Sequence, residues 1–464
     1  MPKASREENL LMARRIAEKV AAAGGSSYYV GGCVRDWLRQ QETKDIDMEI
    51  HGVSVQTLEE ILDSLGGRTV MGASFGIFGL SHYDLDIAMP RTEESTGAGH
   101  RDFSVFVDPF IGPEKAASRR DFTINAMMRN VLTGELLDFF GGREDLQKGL
   151  IRHVNDRSYA EDPLRVFRAA QFAARFEYRI AEETRARSSG IDVSALAGER
   201  VMGELEKALL KADRPSIFFE ELRAMRQLGV WFPEVEALIG VPQNRRFHPE
   251  GDVWVHTMQV LDEAAALRDR AEHPLAFMLS ALCHDFGKAV TTEEKDGVYH
   301  AYAHEKAGLP LAEGFLSRLT NETKLKSYVR NMVENHMRPN VSAARSKREK
   351  TFMSIFDSSC CPEDLLLLAR ADALGSGLRE TGSVFAPGVY DAMEARLRAM
   401  LALYRQRMAE PCVMGQDLID AGLKPGPVFG RALSYAHKLR LAGFPKEEQL
   451  RQTLAYIRKA EKKT

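Results

Sequence analysis

Apolar and polar residues alternate with two different periods in the first part of the chain. Between Ser5 and Ala23 the apolar residues recur at helical spacing, and Gly24-Gly25 follows as a helix stop. The next segment alternates with period two between turn residues, with helical patterns interspersed. It predicts strands over Ser27–Val30, Asp45–Ile50, Ile77–Ser81 and Tyr83–Ala88, and helices over Val34–Arg39 and Val55–Leu65. We therefore expect a compact α/β sheet domain in roughly the first 120 residues.

From Arg119 onward strand signals nearly vanish and helical periodicity dominates. Amphipathic patterns predict helices over Pro163–Phe176, Glu199–Lys211, Pro215–Leu228, His256–Arg268, Pro274–Cys283 and Lys324–Asn335. Turn residues mark seams near Asp156, at Val241–Glu250 and at Gly375–Pro387. The predicted fold class is α+β, with a small mixed-sheet head (1–156) followed by an all-helical neck (157–240), a helical domain (241–385) and a helical tail (386–464).

Length and composition agree with several folded domains. At ~150 residues per domain, 464 residues suggest about three, and 44% hydrophobic with 28% charged residues is ordinary for a globular chain. The formal net charge of −3 argues against coating of nucleic acid by bulk charge, but it permits a locally basic site. The five cysteines form no CxxC pair, which favours reduced thiols in the cytoplasm. No apolar stretch approaches the ~20 residues of a membrane span, so no membrane partner is expected.

Two carboxylates stand side by side in the second predicted strand. Residues i and i+2 of a strand point to one face, so Asp45 and Asp47 project together, and Asp86 lies on a neighbouring predicted strand. Adjacent carboxylates repel each other unless a cation neutralises them, and the upstream Gly31-Gly32 turn offers backbone N–H groups to a phosphate. This combination indicates two-metal phosphoryl or nucleotidyl transfer. Without further context, an exposed strand edge with scattered acids would explain the Asp-x-Asp pair equally.

Four further motifs supply that context. They read Ser-Arg-Arg-Asp-Phe-Thr-Ile-Asn-Ala-Met-Met at 118–128, Asp-Phe-Phe-Gly-Gly-Arg-Glu-Asp at 138–145, Glu-Asp-Pro-Leu-Arg-Val-Phe-Arg at 161–168 and Gly-Glu-Arg-Val at 198–201. Together with the Asp-x-Asp pair and in this order, they resemble the class II tRNA nucleotidyltransferase family, which includes the CCA-adding enzymes and bacterial poly(A) polymerases. The resemblance covers about the first 210 residues.

The resemblance implies template-independent addition of CMP, CMP and AMP to the tRNA 3′ end, from CTP and ATP, with release of pyrophosphate. Asp45 and Asp47 would hold the catalytic Mg²⁺ ions, and Asp86 is the candidate third catalytic carboxylate. The residues implied to contact the triphosphate, sugar and ribose are Gly32, Arg35, Arg120, Asp121 and Asn125.

The third motif also admits a direct chemical interpretation. Asp162 and Arg165 are three residues apart and are predicted to share a helix face. An Asp oxygen accepts from an exocyclic amine and an Arg donates to ring acceptors, so the pair would accept C and A and reject U and G. An ordinary helix-start ion pair is the competing interpretation. Arg168 is the further nucleotide-binding candidate, whereas Gln171 stands where the family commonly has another Arg.

Residues 90–119 form a glycine-containing stretch that is predicted to be a strand-poor loop. In CCA-adding relatives such a loop is needed when the pocket switches from C to A, so its presence argues against a CC-only enzyme. Three alternatives remain: an A-adding enzyme working with a separate CC-adding partner, a poly(A) polymerase, and, from a different class, a tRNA-binding or folding protein with a degenerate head. The segment Thr69–Gly76 does not look like the basic signature of the poly(A) polymerases.

A second set of candidate ligands follows the head and neck. In order along the chain it comprises His256, His284, Asp285, His300, His304, His336 and Asp372. The series resembles the HD phosphohydrolase superfamily, and imidazole with carboxylate suits a divalent transition metal that activates water. Structural histidines are the competing interpretation. We predict a metal site of His256, His284, Asp285 and Asp372, which His304 and His336 would extend to two metals, and a phosphatase or phosphodiesterase activity that trims 2′,3′-cyclic or terminal phosphates from damaged tRNA ends.

The chain after Gly430 is a basic helical tail in which Lys and Arg outnumber Glu. Such a surface suits phosphate contacts along tRNA, although a solvated terminal helix has the same composition. The sequence does not specify an oligomeric state.

Overall fold

The computed structural model of the protein describes residues 4–43, 45–72, 76–95, 103–345, 347–376 and 387–461. The chain forms two compact units, one comprising Met1–Leu205 with Ile217–Val230 and the other Glu206–Ser216 with Trp231–Thr464. The α+β class is confirmed, because the first unit contains a mixed sheet and the second is mainly helical. The finer boundaries at 156, 240 and 385 stay predictions.

The first unit is built on a seven-stranded sheet with the strand order β3-β4-β5-β2-β1-β8-β9. Its strands are β1 (Ser26–Val30), β2 (Ile46–His51), β3 (Arg68–Gly72), β4 (Ile77–Leu80), β5 (Leu85–Ala88), β8 (Met128–Asn130) and β9 (Leu136–Leu137), whereas β6 (Arg91–Ser95) pairs with β7 (Phe103–Val107) and β10 (Leu150–Ile151) with β11 (Arg179–Ile180). Strands β2 and β5 run parallel, and the other neighbours within the seven-stranded sheet are antiparallel.

Helices connect and cover these strands. They are α1 (Arg6–Ala22), α2 (Gly32–Leu38), α3 (Val55–Asp63), α4 (Pro113–Ala117), α5 (Thr123–Ala126), α6 (Gly142–Lys148), α7 (Asp156–Glu161), α8 (Leu164–Phe176) and α9 (Glu182–Ser188). The chain passes between the two units within and around α10 (Gly198–Lys211), α11 (Ser216–Ala224) and α12 (Leu228–Trp231).

Helix α1 illustrates how the sequence determines the local structure. Ser5 and Glu8 form a reciprocal capping box that satisfies the first backbone N–H groups of the helix. Its buried stripe, which includes Ile16 and Val20, packs against β1, β2 and α3. This apolar packing occupies one face of the sheet, and the polar side chains of β2 lie on the other.

The second unit consists of packed helices and one small hairpin. The helices are α13 (Pro233–Glu236), α14 (Val253–Ala265), α15 (Pro274–Cys283), α16 (Lys288–Thr291), α17 (His304–Leu319), α18 (Thr323–Asn335), α19 (Met337–Ala344), α20 (Glu349–Ser358), α21 (Pro362–Gly375), α22 (Pro387–Ala409), α23 (Gly415–Asp420), α24 (Pro427–Leu441) and α25 (Lys446–Glu461), with a single 3₁₀ turn at Arg268–Arg270. Helices α14, α15 and α21 pack on one another and form the centre of this unit. None of the described helices combines the length and apolar character needed to span a bilayer.

Strands are more frequent after residue 90 than the sequence predicted. Strands β6 and β7 form an antiparallel hairpin inside the segment expected to be strand-poor, and residues 96–102, with Gly97 and Gly99, lie outside the described part of the chain. The antiparallel hairpin of β12 (Thr292–Lys295) and β13 (Val298–Ala301) was also missed. Strand β12 is polar and mostly exposed, and no residue of either strand is buried, so the hairpin lacks the apolar alternation by which strands are recognised.

Candidate active sites

Strand β2 carries the first candidate site on its polar face. Ile46, Met48 and Ile50 alternate into the core, so Asp47 and Glu49 share the opposite face. Asp45 continues that face one residue before the strand begins. The i, i+2 placement expected from the sequence is therefore present.

Strand pairing brings a third carboxylate to the same place. Asp47 and Asp86 are register partners in the parallel β2–β5 pair, and neighbouring strands lie about 4.8 Å apart. Burial raises the pKa of Asp47 above its usual range, and the negative charges of Asp86 and Asp45 raise it further. A divalent cation would relieve this repulsion, and carboxylate oxygens are ligands that Mg²⁺ prefers. The residues therefore fit the metal that the resemblance implies.

The turn before α2 approaches these carboxylates closely. Gly31 has a φ of +70°, and a Cβ on it would lie 3.3 Å from Arg120 Nη1 and 3.5 Å from Asp47 Oδ2. Only glycine adopts this conformation without strain and leaves that space open. Gly32 begins α2, so backbone N–H groups lie beside the carboxylates as predicted.

Glu49 belongs to this site and was not identified from the sequence. It is buried and accepts a hydrogen bond from Arg120 Nη2 at 3.0 Å, while its other oxygen lies 2.9 Å from His51 Nε2. Burial opposes ionisation, but His51 and Arg120 outweigh it and lower the pKa of Glu49. Glu49 thus holds Arg120 beside the carboxylates. Its position two residues after Asp47 was the signal that could have revealed it.

A buried polar network contains four of the predicted nucleotide-binding residues. Arg35 donates to Asn125 Oδ1 at 2.7 Å, Asn125 donates to Asp121 Oδ1 at 3.0 Å, and Arg168 Nε donates to Asp121 Oδ2 at 2.8 Å. Arg35 also forms a two-pronged ion pair with Asp36, with nitrogen–oxygen distances of 2.9 and 3.0 Å. The structure therefore brings Arg35, Asn125, Asp121 and Arg168 together, and Arg35 links this network to Asp36.

The proposed base-selecting pair has a different local geometry from the one expected. Asp162 is extended and caps the end of α7, and Arg165 lies in the first turn of α8, so the prediction that they share one helix face is wrong. Proline at 163 disfavours helical dihedrals at Asp162. Arg165 donates to the backbone carbonyls of Ser158 and Arg119 at 2.6 and 2.7 Å, and Arg200 Nη2 lies 3.0 and 3.1 Å from the two oxygens of Asp162.

The second candidate site lies where six helices of the second unit meet. His256 is on α14, His284 and Asp285 follow α15, His304 begins α17, His336 lies between α18 and α19, and Asp372 is on α21. The turn after Asp285 packs tightly against α17, because a Cβ on Gly287 would lie 1.9 Å from the His304 carbonyl oxygen. His300 is on β13, stacks on Tyr302 and is in none of the metal-ligand groups found among the described residues.

Main-chain carbonyls orient three of the four imidazoles. Nδ1 of His284, His304 and His336 lies 2.7, 2.8 and 2.6 Å from the carbonyl oxygen three residues earlier. A carbonyl only accepts, so Nδ1 donates to it and Nε2 is the nitrogen of each ring that is left to bind a metal. Nε2 of His304 and Nε2 of His336 are 3.3 Å apart, and those of His256 and His284 are 3.4 Å apart. Nitrogen atoms this close can bind one shared cation.

Asp285 connects the two imidazole pairs. Its Oδ2 lies 3.2 Å from His284 Nε2, and its Oδ1 lies 3.3 Å from His304 Nε2. The predicted ligands fall into two possible metal-binding groups, one of His256, His284 and Asp372 and one of Asp285, His304 and His336; a third possible group comprises His248, Glu250 and His256. Asp285 could therefore contribute one oxygen toward each of the first two groups. These groups can hold divalent metal ions.

Charged neighbours of this cluster shift its pKa values. Burial opposes the charge on Asp285, but His284 and Lys288 outweigh burial and lower its pKa well below the usual range. Burial likewise disfavours protonated His256, yet hydrogen bonds to Asp372 and Glu250 raise its pKa to about 9. Glu250 Oε1 lies 3.0 Å from His256 Nδ1 and was not identified from the sequence. It orients His256 as the backbone carbonyls orient the other rings.

Protein-family models match both parts of the chain. The poly A polymerase head domain matches residues 27–152, and the HD domain matches residues 253–375. The Thermotoga maritima CCA-adding enzyme complexed with tRNA superposes with a TM-score of 0.64 at 20% identity and covers 98% of this chain and 97% of its own. The Bacillus stearothermophilus CCA-adding enzyme in complex with CTP has a TM-score of 0.67 at 18% identity, covering 98% and 99%. These likenesses establish the fold.

Sequence relatives extend the comparison beyond the fold. The multifunctional CCA protein of Actinobacillus pleuropneumoniae serotype 5b (strain L20) is 37% identical over 361 residues, which cover 75% of this chain and 85% of the relative. That of Pasteurella multocida (strain Pm70) is 38% identical over 338 residues, covering 71% and 78%. Identity at this level over most of both chains shows that the chain belongs to the multifunctional CCA protein family.

Proposed function

We propose that the protein adds C, C and A to the 3′ end of tRNA from CTP and ATP, with release of pyrophosphate. The observation that carries this proposal is the cluster of Asp45, Asp47 and Asp86 beside the Gly31-Gly32 turn, in a chain of the multifunctional CCA protein family. A degenerate head, as in a tRNA-binding or folding protein, would have no use for these carboxylates.

The chemistry requires a nucleophile, a metal-binding site and a triphosphate site. The 3′ oxygen of tRNA bonds to the α-phosphorus, the bond to pyrophosphate breaks, and the hydroxyl proton is lost. Asp45, Asp47 and Asp86 would hold Mg²⁺. When bound, this ion activates the attacking 3′ hydroxyl and stabilises the leaving pyrophosphate. The Gly31-Gly32 turn lies beside the Arg120 guanidinium, and its backbone N–H groups together with Arg120 would bind the triphosphate.

Base selection is assigned to Asp162 and Arg165, with a positioning role for the buried network. The carboxylate of Asp162 accepts from the exocyclic amine of C or A, and an Arg165 nitrogen donates to the ring acceptor beside it. In the structure Arg200 neutralises Asp162 and backbone carbonyls bind Arg165, so both groups are held at the start of α8. Arg168, Asp121 and Asn125 brace this region through hydrogen bonds between their side chains.

We propose that the second site is a metal-dependent phosphohydrolase that trims 2′,3′-cyclic or terminal phosphates from RNA ends. Water adds to phosphorus, one ester P–O bond breaks, and the ester oxygen leaves as a hydroxyl group that carries a proton of the water. The two ligand groups, which lie on either side of the Asp285 carboxylate, would hold a divalent transition metal pair, which when bound supplies an activated water. His256, His284 and Asp372 form one group, and His304 and His336 complete the other.

We also propose a cytoplasmic location. All five cysteines are free, and Cys33, Cys283 and Cys361 are buried, as expected in a reducing compartment.

The decisive experiment uses tRNA transcripts that end before CCA, after C and after CC, each incubated with Mg²⁺, CTP and ATP. We expect all three to be completed to CCA, and neither UTP nor GTP to be incorporated efficiently. Extension of the CC-ending transcript alone would select the A-adding alternative. Long A tails would select a poly(A) polymerase, and failure on all three transcripts would contradict the nucleotidyltransferase function.

A further inference from the structure

A cavity of about 510 Å³ opens beside the His–Asp cluster of the second unit. Asp285, His304 and Asp372 form part of its wall, so a ligand in it would have direct access to the candidate metal ligands. Its volume falls in the range of ~300–1,000 Å³ that is typical of small-molecule sites. The cavity is thus of the size that accommodates one nucleotide.

Aromatic rings line part of this cavity. Tyr302 and Phe247 are 64% and 45% exposed, which is unusual for large aromatic side chains grouped in one cavity. The Tyr302 ring stacks on His300 with centroids 5.1 Å apart and an interplanar angle of 7°, so the Tyr302 ring is held by a neighbour. An exposed aromatic face fixed by a second ring is a surface on which a nucleobase stacks.

The side-chain amides of Gln243 and Asn340 line the cavity and are buried. In each amide one polar atom is hydrogen-bonded within the protein and the other has no partner. Gln243 Oε1 accepts from Lys288 Nζ at 2.7 Å, which leaves its Nε2 as a donor, and Asn340 Nδ2 donates to the Ala369 carbonyl at 2.7 Å, which leaves its Oδ1 as an acceptor. Neither Gln243 Nε2 nor Asn340 Oδ1 has a hydrogen-bond partner among the described residues, and both side chains are more than nine-tenths buried. Unpartnered buried polar groups are rare and point to a ligand or water that completes them.

Positive charge lies in the same wall. Lys288 Nζ is 2.6 Å from Asp285 Oδ2, and Arg345 is exposed and forms no ion pair within the described chain. Guanidinium and ammonium groups bind phosphate oxygens. The cavity therefore combines metal ligands, cations for a phosphate, amides for polar edges and an aromatic wall.

We propose that Tyr302 and Phe247 bind the nucleobase of a nucleoside phosphate whose phosphate lies at the His–Asp cluster, so that this wall makes the site prefer nucleotides over simple phosphoesters. The proposal rests on the phosphohydrolase function proposed above. The nucleoside phosphate is a free nucleotide or the last residue of an RNA chain.

The test compares a substrate with a base to one without a base. Tyr302→Ala and Phe247→Ala are assayed with glycerol 2-phosphate, which has no aromatic ring, and with adenosine 2′- and 3′-monophosphate in the metal-loaded full-length protein. We expect KM for the adenosine phosphates to rise about tenfold, the effect of removing one stacking partner, while their kcat and the glycerol 2-phosphate kinetics stay within about twofold of wild type. Tyr302→Phe keeps the ring and should restore wild-type KM. Val298→Ala, on the same hairpin but outside the cavity wall, is the matched control.

A binding measurement provides an independent readout. Isothermal titration calorimetry of adenosine with the metal-free protein in EDTA should give a Kd that weakens about tenfold in Tyr302→Ala. Absence of adenosine binding to wild type, or equal changes in KM for both kinds of substrate, would overturn the proposal. If wild type fails to hydrolyse p-nitrophenyl phosphate with any divalent metal, the proposed hydrolase function is contradicted. Adenosine binding then still tests whether Tyr302 and Phe247 bind a nucleobase.

A third arm identifies the source of the nucleoside phosphate. An RNA oligonucleotide with a terminal phosphate replaces the mononucleotide. An equal effect of Tyr302→Ala on both supports an RNA end that enters the cavity, and an effect on the mononucleotide alone supports a free nucleotide.

Discussion

At the scale of single residues, the head site depends on buried charges that are paired. Asp121 accepts from Arg168, Asn125 and the backbone N–H of Phe122, and it is buried. Burial disfavours its charge, but Arg168 and Asn125 outweigh burial and hold the pKa of Asp121 below its usual value. Ionised Asp121 therefore stabilises the folded first unit at neutral pH.

The pKa shift of Asp121 gives a pH-dependent stability. Because the folded pKa is depressed, the stabilisation is present above the unfolded pKa, about 3.9, and is lost as the pH falls through the folded pKa below it. We expect Asp121→Asn to destabilise the first unit by about 3 kcal/mol at pH 7, since it leaves Arg168 without its partner. The difference from wild type should shrink below pH ~4.

Amide hydrogen exchange in α8, followed from pH 7 to pH 3.5, would measure this difference. Asp63→Asn, an exposed acid at the end of α3, is the control and should change the exchange little at any pH. If Asp121→Asn lowered the stability of the first unit by the same amount at every pH, the charge of Asp121 would not be what stabilises that unit.

At the scale of elements, the His–Asp cluster is formed by segments that approach through glycines. The turn that carries His284 and Asp285 contacts the first turn of α17 at Gly287, next to His304. The position of His284 and Asp285 relative to His304 therefore depends on a backbone contact at Gly287 that leaves no space for a side chain. Sequence patterns predicted α15 but neither α17 nor this contact, which joins residues distant in the chain.

Gly287→Ala should move the turn that carries His284 and Asp285 away from His304 on α17. Its Cβ would lie 1.9 Å from the His304 carbonyl oxygen and 2.7 Å from Gly308 N, so the turn or α17 must move. We expect a loss of about 1–3 kcal/mol in stability and a lower stoichiometry of bound transition metal, measured by thermal unfolding and metal analysis. Gly430→Ala, within α24 and with nothing within 4 Å of its Cβ, should bind metal normally and be slightly stabilised. Full metal occupancy in Gly287→Ala would contradict this account of the contact.

At the scale of the whole molecule, the two candidate sites belong to different compact units. Asp45, Asp47 and Asp86 are in the first, and the six candidate ligands from His256 to Asp372 are in the second. We expect the two activities to be separable by substitution.

The separation is tested with two variants assayed for both activities. Asp47→Asn should lower CCA addition about 10³-fold, equivalent to several kcal/mol of lost charge stabilisation, and leave p-nitrophenyl phosphate hydrolysis unchanged. His284→Ala combined with Asp285→Ala should abolish metal-stimulated hydrolysis and lower bound metal while CCA addition survives. Loss of both activities in either variant would argue against separate sites, and each variant serves as the control for the other.

The helices that the sequence predicted lie within a few residues of observed helices, and the carboxylate face of β2 is as expected, but other helices, among them α17, α20 and α21, were not predicted. The features that were predicted have local signals, namely periodicity and i, i+2 spacing. Glu49 and Glu250 were missed because each acts through a side chain on another residue, Arg120 or His256, that sequence spacing does not connect to it. The pairing of Arg200 with Asp162 joins residues 38 positions apart, and only the folded chain brings them together.

The orientation of the imidazoles has a consequence for how this chain tolerates mutation. The acceptors for His284, His304 and His336 are main-chain carbonyls of Ala281, Ala301 and Val333, and every amino acid supplies that atom. Amino-acid replacement at those three positions leaves the acceptor in place, so this part of the ligand geometry is insensitive to sequence drift. His256 differs because its partner is the carboxylate of Glu250, which a single codon change removes. Of the four contacts that orient these imidazoles, the one between Glu250 and His256 is therefore the most sensitive to a single amino-acid replacement.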